Sequence, residues 1–248
     1  MQPTPVSLVT GGAKRIGAQL VKTLHQQGHN VIIHYHHSQE AAQSLADALN
    51  QLRPASACVV QADLCNLNEV SHLAARAQQC YGRVDVLVNN ASAFYPTPLG
   101  SVTQQDWQAL TGSNVQGPLF LIQALADALT HSQGCVINMI DMHIDRPLPQ
   151  HSVYVAAKTA LASVTRSLAA EMAPAVRVNG IAPGAILWPE RSLCDAEKQN
   201  LLDSIPLNTL GTPDDIAHTM LFLLQASYIT GQIIYVDGGR SIASGASA

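Results

Sequence analysis

Two hydrophobic periods alternate along this chain. Short runs that are apolar at nearly every position, rich in Val and Ile, separate longer stretches where apolar side chains recur every three or four residues. The first kind fits strands covered on both faces, and the second fits helices with one buried stripe. The pattern predicts strands over 6–10, 31–35, 57–61, 84–88, 134–140, 176–181 and 232–236. It predicts helices over 15–27, 39–52, 67–81, 104–129, 152–172 and 214–225. Gly28, Pro54 and Gly82 supply stops for the first three helices, and Gly117-Pro118 is a potential break in the fourth. The helix over 152–172 carries Ala157, Leu161, Val164, Leu168 and Met172 on one stripe. Residues 91–100 read as a loop, 183–206 as irregular or weakly helical, and 241–248 as a loose tail. Such alternation predicts an α/β chain, a doubly wound parallel sheet of about seven strands with helices on both faces. Without a linker, an internal repeat or a low-complexity stretch, residues 1–248 read as one domain.

Composition narrows the partners. The apolar share is 47% and the charged share 12%, enough to bury a sizeable core and low enough to suggest that other subunits cover part of the surface. A net charge of −4 offers no basic field for nucleic acid, and there is no run of Lys and Arg for a membrane surface. No apolar run is long enough to span a bilayer, and no leader-like segment precedes the first strand. The five cysteines are odd in number and widely spaced, without Cys-x-x-Cys, as expected of a reduced, cytoplasmic protein.

The first candidate chemistry is a phosphate turn. Thr10-Gly-Gly-Ala-Lys-Arg-Ile-Gly17 follows the first strand and opens the first helix, the context a dinucleotide fingerprint requires. Gly11 permits the tight turn, Gly17 permits close packing of helix on strand, and Lys14, Arg15 and Ile16 lie at the helix N-terminus that would face a pyrophosphate. Arg15 replaces the usual central glycine. An NAD site places a carboxylate near the end of the second strand to bind the ribose 2′-hydroxyl. Here that end reads His34-Tyr35-His36-His37-Ser38, with no acid before Glu40. A 2′-phosphate suits such a set, so NADPH is expected. No Cys or carboxylate cluster joins these histidines, so they read as solvated strand-end residues and no metal site is expected. Asp63-Leu64 after the third strand would meet the adenine edge. Asn89-Asn90-Ala91-Ser92 after the fourth lies at the sheet's carboxyl edge, where ligands bind.

The second is Tyr154 and Lys158, four residues apart and therefore on one helical face, with Asp141 thirteen residues ahead of the tyrosine. A cation beside a phenol lowers its pKa from about 10, which suits proton transfer in a redox step. Asp141 would feel two opposing pulls, burial raising its pKa and Lys158 lowering it. His143 and His151 read as ordinary loop residues, and Asp145 with Arg146 as a solvated pair.

Together these motifs resemble the short-chain dehydrogenase/reductase superfamily over essentially the whole chain. The Thr-Gly turn, Asn-Asn-Ala, Asn114, Tyr154/Lys158, Pro183-Gly184, and Tyr228-Ile-Thr-Gly231 ahead of Val236-Asp-Gly-Gly239 all match. Within it the chain is similar to pteridine reductases, through Ala13-Lys-Arg-Ile-Gly17, His34-Tyr-His-His-Ser38, the run from Asn89 to Leu99, and aspartate rather than serine at 141. The resemblance implies a single Rossmann-type domain and an NADPH-dependent reductase of pterins or folates, usually tetrameric or dimeric in this superfamily, with a homotetramer expected. It implies Asp141, Tyr154 and Lys158 as a catalytic trio, with Asn114 supporting a relay water. It implies Phe94 stacking on the pterin, Arg15 reaching cofactor and substrate, and Lys158 holding the nicotinamide ribose. Ser92, Pro183, Gly184 and Leu187 would complete the cofactor and substrate contacts. His37 stands where that family often has Arg, and residues 185–206 match it poorly. A carbonyl reductase and a non-catalytic dinucleotide-binding protein are the competing readings.

Overall fold

The structure is a computed structural model and describes residues 3–188 and 193–243. One parallel sheet contains β1 (Val6–Val9), β2 (Asn30–Tyr35), β3 (Ala57–Gln61), β4 (Val86–Asn89), β5 (Cys135–Met139), β6 (Arg177–Pro183) and β7 (Ile233–Val236), in the order β3-β2-β1-β4-β5-β6-β7. The helices are α1 (Arg15–Gln26), α2 (Gln39–Leu52), α3 (Leu67–Tyr81), α4 (Gln104–Thr111), α5 (Gly117–His131), α6 (Ser152–Glu171), α7 (Asp195–Asp203) and α8 (Pro213–Gln225).

Strand alternation builds two cores. Val9, Ile33, Val88 and Ile137 point to one face, where α1, α2 and α8 cover them with Leu20, Leu24, Ala46 and Leu223. Leu8, Ile32, Leu87 and Val136 point to the other, under Leu73 of α3, Leu125 and Leu129 of α5 and Ala169 of α6. Both faces are covered, so the central strands are apolar throughout, as their pattern predicts. Strand order reverses between β1 and β4, and the loops leaving their carboxyl ends diverge there and open a crevice.

Local chemistry sets several helix ends. Asn66 caps α3 by accepting from the Asn68 N–H, and Gly82 ends it at φ 73°. Thr103 with Asp106 and Thr212 with Asp215 form capping boxes at α4 and α8.

Three readings change. The stretch over 104–129 stays helical through Gly117-Pro118 but widens into a π turn over Gly112–Gln116. Pro118 has no N–H to offer the Asn114 carbonyl four residues back, so the regular ladder cannot continue there. Residues 183–206 contain a true helix, α7, while residues 189–192 lie outside the described residues. The buried face of α6 is Tyr154, Ala157, Lys158, Leu161, Ala162, Thr165 and Ala169, and the apolar Val164, Leu168 and Met172 are only half-buried. All five cysteines are free thiols, and two that are distant in sequence meet: Cys58 and Cys80 lie 2.8 Å apart, Sγ to Sγ. Of the expected tail, 244–248 lie outside the described residues.

No described helix is long and apolar enough to cross a membrane. Among the described residues, no group of three His, Cys, Asp or Glu side chains could hold a metal ion.

Candidate active site

The turn between β1 and α1 is held from below by a histidine. The Gly11 N–H donates to His34 Nδ1 at 3.1 Å, and His34 Nε2 lies 3.0 Å from the Ala62 carbonyl. One ring nitrogen must accept and the other donate, so the imidazole is neutral, and burial pushes its pKa down to about 4. His34 therefore clamps the turn to the end of β3 with both nitrogens engaged, while lining the cavity on that side of the turn. Tyr35 is corrected: its ring belongs to the core under α1 and α2, because alternate side chains of β2 point down. A methyl group on Gly17 would stand 2.1 Å from the Gly11 carbonyl oxygen, so the close approach is obligatory. Arg15 sits at φ 51°, the left-handed region that explains why glycine is usual there.

Asn90 closes the turn from the β4 side. Its Nδ2 donates to the Thr10 and Gly11 carbonyls at 2.9 and 3.1 Å, and Thr10 Oγ1 accepts from the Asn90 and Ala91 N–H groups. Thr10, the first residue of the turn motif, thus ties that turn to the loop after β4. Beyond the turn, His36, Asp63, Leu64 and Ala91 line a cavity of about 790 Å³. His36 and His37 are exposed, with ring centroids 3.5 Å apart, and Ser38 opens α2. Lys14 is exposed at the start of α1.

On the other side lies a cavity of about 1050 Å³. Tyr154 donates to Asp141 Oδ2 at 2.6 Å, while Asp141 Oδ1 accepts from the His143 N–H at 2.8 Å. Lys158 is 2% exposed, donates to the Met139 carbonyl at 2.8 Å, and lies 5.8 Å from the Tyr154 ring centroid. The helical spacing brings phenol and ammonium to one face, as expected, but the electrostatics differ. Burial, then the Asp141 carboxyl, pushes the Tyr154 pKa well above its ordinary value, with Ser92 offsetting part of the rise. The lysine does not lower it, because its ammonium is spent on a carbonyl while a carboxyl touches the phenol. Burial pulls Lys158 itself down to about 8, with Asp141 resisting.

Asn114 sits in the π turn, fully buried. Its Nδ2 donates to the Ala93 and Leu110 carbonyls at 2.9 Å, and its Oδ1 accepts from Ser92 Oγ at 2.7 Å. Ser92 thereby bridges Asn114 toward Tyr154. Phe94 is 54% exposed and its ring stands edge-on to Tyr154 at 4.8 Å between centroids. Its other neighbour is His151, stacked at 4.7 Å and 17°. That histidine reads as an ordinary loop residue, and it stands just outside α6 at its N-cap, three residues before Tyr154.

Arg15, Ile16, Pro183, Gly184 and Leu187 line the same cavity, and so does Arg240. Arg240 carried no motif signal, because it follows Asp237-Gly-Gly in a turn whose direction sequence does not reveal. Asp145 and Arg146 are not a solvated pair: Asp145 accepts from the Tyr235 hydroxyl, and Arg146 donates to the Arg240 carbonyl at 2.7 Å. The site therefore combines a buried neutral acid, a carboxyl, an ammonium and an exposed aromatic face at the edge of a dinucleotide-type turn.

Comparison with known proteins agrees with this geometry. A family model described as enoyl-(acyl carrier protein) reductase matches residues 11–241. Pteridine reductase 1 of Leishmania tarentolae is 38% identical, over 96% of each chain. A 3-oxoacyl-[acyl-carrier-protein] reductase of Staphylococcus aureus is 33% identical, over 96% of this chain and 99% of its own. An uncharacterized oxidoreductase of Escherichia coli is 34% identical, over 96% of each. With a model and full-length relatives matching across the phosphate turn and the Tyr154/Lys158 helix, the chain belongs to the short-chain dehydrogenase/reductase superfamily and is an oxidoreductase.

Proposed function

We propose that this oxidoreductase is an NADPH-dependent pteridine reductase. Its substrates are oxidised or dihydro pterins and folates, such as biopterin, dihydrobiopterin, dihydrofolate or dihydromonapterin, reduced at a carbon–nitrogen double bond. The observation that carries this reading is the carboxyl of Asp141 against the Tyr154 phenol at 2.6 Å. Both Asp141 oxygens accept hydrogen bonds. Reducing a ketone builds negative charge on oxygen, which an adjacent carboxylate repels; a pterin ring instead offers N–H donors that it can accept. The full-length likeness to a protein named pteridine reductase supports the same substrate class.

The cofactor fits this chain. The cradle is built of Gly11 and Gly17, where a methyl group would collide with Ala91 and with the turn itself. Lys14, Arg15 and Ile16 would hold the pyrophosphate; His36, His37 and Ser38 the 2′-phosphate; Asp63 and Leu64 the adenine; and Asn90, Ala91, Ser92, Pro183, Gly184, Tyr154 and Lys158 the nicotinamide riboside. When bound, NADPH supplies the hydride. Tyr154 keeps its proton at neutral pH and delivers it from Oη to the ring nitrogen beside the reduced carbon. Lys158, on the same helical face and held by the Met139 carbonyl, would hold the nicotinamide ribose beside the phenol. Ser92 Oγ donates to Asn114 Oδ1 at 2.7 Å, and Asn114 would support a relay water through which solvent returns the proton to the phenol. Phe94 offers the exposed face against which a flat heterocycle stacks. We extend the proposal to one catalytic domain, a cytoplasmic location and a homotetramer, the last tested by light scattering.

NADPH consumption with dihydrobiopterin, dihydromonapterin or dihydrofolate is the expected result; no turnover on any of the three would sink the reading. A second reading, a carbonyl reductase, is favoured by the 3-oxoacyl reductase relatives. Asp141→Ser separates the two. Pterin turnover should fall by about a hundredfold, the scale of a lost acid–base group, while ketone turnover rises. Strong ketone reduction by the wild type would favour the second reading.

A further inference from the structure

The cavity beside Tyr154 has a cationic end formed by Arg240. The turn carrying this residue is fixed on both sides. Asp237 Oδ1 and Oδ2 accept from the Gly239 and Ser241 N–H groups at 3.0 and 2.7 Å, and Arg146 Nη1 donates to the Arg240 carbonyl at 2.7 Å. The Arg240 side chain is oriented by one bond, from Nε to Ser204 Oγ at 3.0 Å. Among the described residues, no acceptor meets its two terminal nitrogens and no carboxylate lies within salt-bridge distance. Asp237 is spent on backbone N–H groups, and Asp141 on Tyr154 and the His143 N–H. Yet Arg240 is partly desolvated, lines the cavity, and stands close enough to Arg146 for their charges to repel.

A guanidinium fork held at one nitrogen, with its other donors open to a substrate cavity, is suited to bind a carboxylate or phosphate through two parallel bonds. The neighbouring Arg146 favours an anion there, against the opposing charges of Asp141 and Asp237. Resting on the pteridine reductase reading, we infer that Arg240 is a specificity-determining residue. It selects pterins whose side chain ends in an anionic group, either the carboxylates of a folate tail or a phosphate ester of a hydroxyalkyl chain. The pterin ring would stack at Phe94 while the anion reaches the turn after β7.

The test is steady-state kinetics of the full-length enzyme with NADPH and three substrates: dihydrofolate, dihydroneopterin monophosphate and the uncharged dihydrobiopterin. Arg240→Gln should raise KM for the anionic substrates about tenfold more than for dihydrobiopterin, the scale of one lost charged hydrogen-bonding partner, with kcat less affected. Arg240→Lys, which keeps the charge but not the fork, should recover part of the difference. The anion with the larger ratio identifies the tail this site takes. An equal change on all three substrates, or none, would overturn the inference and leave the pteridine reductase reading intact. If the wild type reduces none of the three, that reading falls and this one with it.

Discussion

Arg15 shows what a single residue contributes here. It occupies a left-handed backbone position that costs a non-glycine residue roughly 1–2 kcal/mol. A glycine would be more comfortable, but would leave the cavity without the side chain that lines it. Tyr154 and Lys158 make a similar point about charge. Their spacing is visible in sequence, but their proton affinities follow from burial and from Asp141. Lys158 is pulled down from its ordinary 10.5 to about 8, so it carries its charge below pH about 8 and loses it above. If its ammonium helps hold the nicotinamide ribose, NADPH affinity should weaken as pH rises through that value. A fluorescence titration across the range checks this, and Lys158→Arg should abolish the dependence; a flat wild-type profile would contradict it. The effect on stability has the opposite sign. Between about 8 and 10.5 the unfolded chain binds the proton that the folded one has lost, so this group's contribution to stability rises with pH there.

At the scale of elements, side-chain amides tie the sheet together. Asn89 Nδ2 donates to Asn138 Oδ1 at 2.8 Å, and Asn138 Nδ2 donates to Thr165 Oγ1 at 2.9 Å, joining β4, β5 and α6. Asn138 is fully buried, so Asn138→Ala strands two polar groups and leaves a void. It should cost about 2–3 kcal/mol and lower the melting temperature by roughly 4–12 °C. A calorimetric shift under a degree would show that the link carries little. These links explain polar residues that interrupt otherwise apolar strands, which periodicity alone would read as strand ends. The strands and the flanking helices were legible because both cores sit in one sheet with strict alternation. The π turn was not legible. It arises from Pro118 meeting a helix already packed by Gly112 on Cys65 and by Gly117 on Leu64, a contact between distant segments.

For the whole molecule, the decisive feature is that the cavity beside Tyr154 is walled by two segments far apart in sequence, residues around α7 and Arg240 after β7. The turn after β7 packs on the segment after α7: a methyl group at Gly238, φ 63°, would lie 2.6 Å from Ile205 Cγ2. Gly238→Ala should therefore displace the turn, raise substrate KM severalfold and reduce stability by about 1–3 kcal/mol. Unaltered kinetics would mean the wall tolerates the shift. The sequence by itself determined the doubly wound architecture, the phosphate turn and the pairing of Tyr154 with Lys158, because each depends on periodicity or short spacing. It also marked Asp141 and Phe94 through their motif positions. Only the tertiary structure decided that His34 clamps the turn, that Tyr154 stays protonated, that His151 backs Phe94 and that Arg240 faces the site. Each of these depends on which distant groups share a buried volume, and burial and pairing, unlike periodicity, are set by the packed fold.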